Sequence, residues 1–247
     1  MSPGTSVAFY SVVIVAGSLL GALVPLFTQR EKWLVGFLAF AAGVMFGAAF
    51  FDMLPEAFRA GGYGVFSCVP LGFALMFLLE RYVLAHACEE PPEFATHAHG
   101  PMGLAAFLGL SAHTLFDGLA LGSSAAERIG LTAFVAIVAH KIPASLSLAT
   151  ILRSEGRSKT RVLVLAGIFG LMVPLGALLY FGLERVLPFT SFAPKALSFS
   201  AGTFLYIAVS DLLPHVNRHK HHGRAGHVLA FLLGLGVMFA LGMLTRE

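Results

Sequence analysis

Charge is what this sequence most lacks. Only 12% of its 247 residues are Asp, Glu, Lys or Arg, against roughly a quarter in ordinary soluble domains. With 57% hydrophobic residues and a mean hydropathy of +0.83, a soluble fold is excluded. The chain reads as an all-α integral membrane protein. Cysteine is nearly absent: Cys68 lies in an apolar run and Cys88 beside an acidic loop, with no CxxC or paired spacing, so no disulfide is expected. A net charge of +3 and a pI near 9.0 do not indicate nucleic acid, because the basic residues fall in short clusters between apolar runs instead of on one face. No basic segment precedes the first apolar run, and the first positive charge is Arg30; that run is expected to stay as a helix. The motifs G-x-x-x-x-G-K-S/T and H-E-x-x-H are missing, which argues against direct ATP coupling and against a common type of zinc hydrolase.

What the chain has instead is long apolar runs. Windows of about 20 residues, enough to cross a hydrocarbon core of about 30 Å, fall at 7–27, 34–58, 65–84, 102–125, 129–153, 161–184, 195–215 and 226–244. Eight transmembrane helices are expected, in a single unit spanning residues 1–247, with His-containing loops at about 85–101 and 216–226. Eight spans put both termini on one side. With the termini outside, the inner ends and loops carry Arg30, Lys32, Arg81, Arg153, Arg157, Lys159, Arg161, Arg218, Lys220 and Arg224, and the outer ones Arg59, Arg128, Arg185, Lys195 and Arg246. Ten against five favours termini on the non-cytoplasmic side of the cell (inner) membrane. The sixteenth basic residue, Lys141, is the one deep within a span.

A repeat links two of the helices. "AAGVMFGAAFFDMLPEA" in helix 2 and "FSAGTFLYIAVSDLLPHV" in helix 7 share a nine-residue step, from Gly43 to Asp52 and from Gly202 to Asp211, each followed by x-Leu-Pro. In an eight-span topology these helices run oppositely. The pattern predicts an inverted repeat of helices 1–3 and 6–8 around helices 4 and 5, an architecture frequent in transporters with a midplane site. It sets Asp52 and Glu56 toward the outer end and Asp211 and His215 toward the inner end, as candidate entrance and exit groups; helix-end polar residues beside proline would read the same way.

Helix 4 carries the chemistry. In "LSAHTLFDGLALG" His113 and Asp117 stand four residues apart, on one face, and His140 lies at similar depth in helix 5. An imidazole nitrogen and a carboxylate on adjacent turns can reach one divalent cation, and a second histidine suits Zn²⁺ or a similar transition metal. A hydrogen-bonded His–Asp pair between helices is the plainer alternative, but ionisable groups inside a membrane are functional by default.

"HTLFDGLALG" and "HKIPASLSLATIL" resemble the helix 4 and helix 5 motifs of the ZIP (Zrt/Irt-like) family of divalent-metal transporters, with further likeness in helix 2, in helix 7 and in "MVPLGA" of helix 6. The resemblance implies that His113 and Asp117 are first-site ligands, that His140 lies on the transport path, and that Met45 offers a thioether, although a core methionine would look the same. It implies Zn²⁺ as the substrate ion, with Fe²⁺, Mn²⁺ and Co²⁺ as chemical alternatives. The carrier would move the ion toward the cytosol by rocking helices 1, 4, 5 and 6 against helices 2, 3, 7 and 8. The expected partners are the cation and the lipid bilayer, with a homodimer as candidate oligomer.

The departures from the family pattern are informative. Many members hold two adjacent metals, using positions that are Thr114, Lys141, Ala144 and Val173 here. A protonated lysine has donors and no lone pair, so Lys141 is expected to pair with Asp117 or to stand where the second metal would be, leaving a single-metal site. A snorkelling lysine in a wet pathway is the competing reading. A metal-selective channel, an intramembrane zinc-dependent hydrolase and a metal sensor remain the alternatives. Eight of the ten histidines, namely His86, His97, His99, His215, His219, His221, His222 and His227, fall toward the inner side, where flexible clusters bind transition metals weakly.

Overall fold

The structure is a computed structural model that describes residues 3–27, 31–84, 102–126, 130–184, 186, 189–218 and 224–244. The loop 85–101, with His86, His97 and His99, and residues 219–223, with His219, His221 and His222, lie outside the described residues. The described chain is helical along eight rods. α1 is Pro3–Phe27. α2 runs from Glu31–Ala48 through Ala49–Met53 to Leu54–Gly61, and α3 joins Tyr63–Ser67, Cys68–Leu78 and Leu79–Leu84. α4 is Met102–Ala126, α5 Gly130–Ser154 and α6 Lys159–Leu183. α7 joins Phe189–Tyr206, Ile207–Leu212 and Leu213–Arg218, and α8 is Arg224–Leu244. The expected eight helices are present.

Seven of the described helices are long and apolar enough to cross a membrane. α4 has the same 25-residue length as α1, α5 and α6; Ser111, His113, Thr114, Asp117, Ser123 and Ser124 dilute its apolar content. Of those seven, α5 is the most enclosed and α3 and α8 the least. From His140 to Leu152 α5 buries every residue but Ile142. The helix that carries the buried lysine is therefore central.

Both copies of the repeated segment leave regular α geometry at the same place. Pro55 and Pro214 have no N–H to donate to the preceding turn, and just before each the helix widens into a π-type stretch, Ala49–Met53 and Ile207–Leu212. Leu54 N–H bonds to the Ala49 carbonyl and Leu213 N–H to the Ala208 carbonyl, in both cases five residues back. Such bulges re-aim side chains and occur often at functional sites. Asp52 and Asp211 sit inside them.

The packing partners follow a pattern as well. α4 lies along α6 and α1 along α5; α2 lies along α8 and α7 along α3; α2 touches α5 and α7 touches α4. Each pairing turns into its counterpart when helices 1, 2, 3 and 4 are exchanged with 6, 7, 8 and 5. Glycine sets two of these approaches. A Cβ on Gly43 would run into the Phe231 carbonyl, and one on Gly234 into that of Phe40; likewise Gly202 meets the Val69 carbonyl and Gly72 that of Phe199. Backbones this close gain dispersion contacts that a bilayer cannot replace with a hydrophobic effect.

Candidate metal site

The site forms where α4 and α5 face each other. Helical spacing puts His113 one turn before Asp117, with Nε2 3.1 Å from Asp117 Oδ1. From α5, His140 Nε2 comes to 3.4 Å of Asp117 Oδ2. Each carboxylate oxygen thus faces a different imidazole. All three residues are buried, at 2%, 4% and 3% exposure for His113, Asp117 and His140, and one ligand atom from each lies within 4.8 Å of the others. Ligands held about 2.1 Å from a tetrahedral Zn²⁺ are separated by roughly 3.4 Å. The spacing fits a single ion.

The unfilled bonding capacity points the same way. His113 Nδ1 and Nε2 and His140 Nδ1 are buried without a hydrogen-bond partner, although His113 Nε2 is close to the carboxylate. That nitrogen is near Asp117 but not aligned to donate to it. A buried polar atom without a partner costs about 1–3 kcal/mol, and the single His140–Asp117 hydrogen bond between the helices leaves these three nitrogens free to act as metal donors. The His113 and His140 rings lie 5.5 Å apart, and the Phe204 ring of α7 sits 4.0 Å from His113 and 6.4 Å from His140. This apolar wall keeps water from competing for the ligands and raises the strength of electrostatic contacts inside.

Asp52 reaches this centre. Its Oδ2 is 3.7 Å from His140 Nδ1, and its side chain is 23% exposed where that of His140 is 4% exposed. The π stretch of α2 turns it toward the site, and this contact was not legible in the helical periodicity. Glu56, one turn on, is 53% exposed and paired with Arg59 at 2.7 Å. Met45 is fully buried in the main apolar core of α2, among Ala42, Ala48 and Ala49. On α7, Asp211 is buried and its Oδ2 has no hydrogen-bond partner, while His215 is half-buried in the last segment of the helix. Sequence reasoning overlooked Glu80, which accepts a hydrogen bond from Tyr206 Oη at 2.5 Å across α3 and α7. Its signal was available: it is an acidic residue inside an apolar window.

Lys141 does not pair with Asp117. Its Nζ donates to Thr114 Oγ1 at 2.5 Å and lies 3.6 Å from the centre of the Phe169 ring of α6, at 1% exposure. Among the described residues it makes no ion pair. The reason is placement: Lys141 follows His140 and Thr114 follows His113, so they meet on the side of the α4–α5 contact that faces α6. A neutral acceptor and an aromatic face together make burial of the ammonium tolerable. Ala144 and Val173, the other two positions of a second site, are buried and apolar.

Residues 85–242 match the family model described as ZIP Zinc transporter. Zinc transporter ZIP9 of Xenopus tropicalis is 35% identical over 167 residues, covering 63% of this chain and 54% of that protein. Zinc transporter ZIP9 of Micropogonias undulatus is 33% identical over 193 residues, 70% and 62% of the two chains, and the human zinc transporter ZIP5 is 33% identical over 169 residues, 64% and 31%. The chain spans little more than half the length of the frog relative it matches.

Proposed function

The chain belongs to the ZIP zinc transporter family, and from that premise we propose that it carries divalent cations, zinc foremost, across a membrane through a site made by His113, Asp117 and His140. With its run of apolar helices it is an integral membrane protein. One observation carries the reading: three buried candidate ligands from two helices converge, one atom of each within 4.8 Å of the others. Two neutral imidazoles and one carboxylate give a ligand set of charge about −1 that attracts a cation, and leave bound Zn²⁺ about +1, incompletely neutralised and so able to leave. Zn²⁺ is favoured by the donor set, which Fe²⁺, Mn²⁺ and Co²⁺ can also use.

The site takes one metal in this reading. The Lys141 ammonium, fixed by Thr114 and Phe169, supplies charge where a second cation would stand and repels one. Met45 is the candidate further ligand, a thioether on the neighbouring helix α2. Asp52 and Glu56 serve entrance, supported by the graded exposure from Glu56 through Asp52 to His140. Asp211 and His215 serve exit on the far side. The matched packing of the two helix triplets and the two π stretches support an inverted repeat, and the excess of basic residues at one set of loops supports termini on the non-cytoplasmic side, with transport toward the cytosol. Rocking of α1, α4, α5 and α6 against α2, α3, α7 and α8 would expose the site alternately.

Purified chain in liposomes loaded with a zinc-sensitive dye tests the proposal. Saturable Zn²⁺ flux lost in His113→Ala and Asp117→Ala is the expected result. Flux that does not saturate would indicate a channel, and binding without flux a sensor; either outcome overturns the carrier.

A further inference from the structure

The turn between α5 and α6 is built to hold one side chain still. α5 closes on Gly156 in the left-handed region, φ +77°, with Arg157 N–H donating to the Leu152 carbonyl and Gly156 N–H to that of Arg153, both at 3.0 Å. This closure satisfies the last carbonyls of the helix. Arg153 Nη1 donates to the Arg157 carbonyl at 2.7 Å, and Ser158 starts α6 by accepting from Arg161 N–H at 3.3 Å.

Glu155, between the two helices, turns inward. Its side chain is 7% exposed, and Oε1 accepts the N–H of Gly103 at 2.5 Å. Gly103 is the second residue of α4, so the carboxylate satisfies an N–H that has no partner within the helix and meets the positive end of the helix dipole. Glycine leaves room for the carboxylate, which a side chain here would displace. A Cβ at 103 would lie 2.5 Å from Glu155 Oε2 and 2.9 Å from Leu152 Cδ2. Arg157 Nε, 3.6 Å from Oε2, balances the charge.

At their other ends α4 and α5 are joined through residues 127–129 alone. The pair that supplies all three ligands is therefore fastened at both ends. Register matters here because a helix rises 1.5 Å per residue, whereas metal–ligand bonds tolerate departures of only about 0.2 Å. A slip of α4 by a single residue would take Asp117 out of reach of His140.

We propose that Glu155 is a positioning residue for the metal site: by clasping the first turn of α4 to the α5–α6 turn, it keeps the two helices in the register where Asp117 faces both histidines. This rests on the proposed role of His113, Asp117 and His140 as the cation ligands.

The test uses the full chain, with Zn²⁺ as the probe. Three variants are compared, Glu155→Ala, Gly103→Ala and Glu155→Gln, the last keeping an oxygen that can accept the Gly103 N–H. Amide hydrogen exchange without metal reads the clasp, and Zn²⁺ titration per folded molecule reads the site. Both alanine variants should speed exchange in the first turns of α4 and weaken Zn²⁺ binding about three- to tenfold, and Glu155→Gln should recover most of the affinity. Unchanged exchange in both alanine variants would overturn the clasp, and faster exchange with wild-type affinity would overturn its positioning role. Absence of Zn²⁺ binding by the wild type would instead count against the proposed function, and the exchange measurement would still decide the clasp.

Discussion

Lys141 Nζ donates to Thr114 Oγ1 at 2.5 Å, so the residue after His140 of α5 is tied to the residue after His113 of α4. The bond crosses the same helix contact that the three ligands span. It joins Thr114 and Lys141 into one closed pair under Phe169. A buried lysine that holds no carboxylate is costly, and in the proposed reading its charge stands beside the cation site.

That placement predicts the stoichiometry. Wild-type protein should bind one Zn²⁺, measured by calorimetric titration or by metal content after desalting. Lys141→Asp replaces the cation with a ligand oxygen and should bind a second ion. Lys141→Ala should keep one ion with altered affinity. Two ions of comparable occupancy in the wild type would remove the lysine from this role.

The three ligands should not contribute equally. Asp117 faces both histidines and carries the only negative charge among the three, so Asp117→Ala and Asp117→Asn should abolish measurable Zn²⁺ flux. His113→Ala and His140→Ala each remove one donor and leave a two-donor remnant. Residual Zn²⁺ binding in these two, weakened by at least about a hundredfold, is expected, read by competition with a chelating dye.

Asp52 is expected to act through His140 and not as a ligand itself. Its oxygen lies 3.7 Å from His140 Nδ1, the nitrogen turned away from Asp117, close enough for its charge to favour a proton on that nitrogen and leave Nε2 as the proposed donor to the metal. Asp52→Asn should lower Zn²⁺ affinity on the order of tenfold. Glu56→Gln, at an exposed pair with Arg59, should change it little, since such pairs contribute about 0–1 kcal/mol. Equal effects in the two variants would make Asp52 an entrance group without influence on His140.

The eight helices were legible because a bilayer demands long apolar runs, and His113, Asp117 and His140 because ionisable residues inside such runs are conspicuous. Other features were hidden for specific reasons. Periodicity assumes an ideal helix, and the π stretch before Pro55 swings Asp52 to His140 from a place that regular spacing sets toward the helix end. Lys141 was recognised as the anomaly, but its partner was not, since a choice between Asp117 and Thr114 depends on the side of α5 that faces α6. Glu155 lay in a loop that reads as ordinary polar punctuation, and its partner Gly103 is 52 residues away.

The reciprocal glycines give a prediction that separates packing from chemistry. Gly43 and Gly234 each meet the backbone of the other's helix, and Gly202 and Gly72 do the same between α7 and α3. A methyl group at any of the four must push a carbonyl aside, and each single alanine variant should destabilise the protein by about 1–3 kcal/mol, the usual cost of overpacking. Since Gly43 and Gly234 set one and the same helix separation, the first alanine opens the space that the second needs. The double variant Gly43→Ala/Gly234→Ala should cost clearly less than the sum of its parts. Gly43→Ala/Gly202→Ala, which loads two different interfaces, should be additive within about 0.5 kcal/mol. Thermal unfolding of the purified protein in one detergent measures all of these. Additivity within the Gly43/Gly234 pair would mean that each glycine relaxes locally, and α2 and α8 would then not behave as one rigid pair.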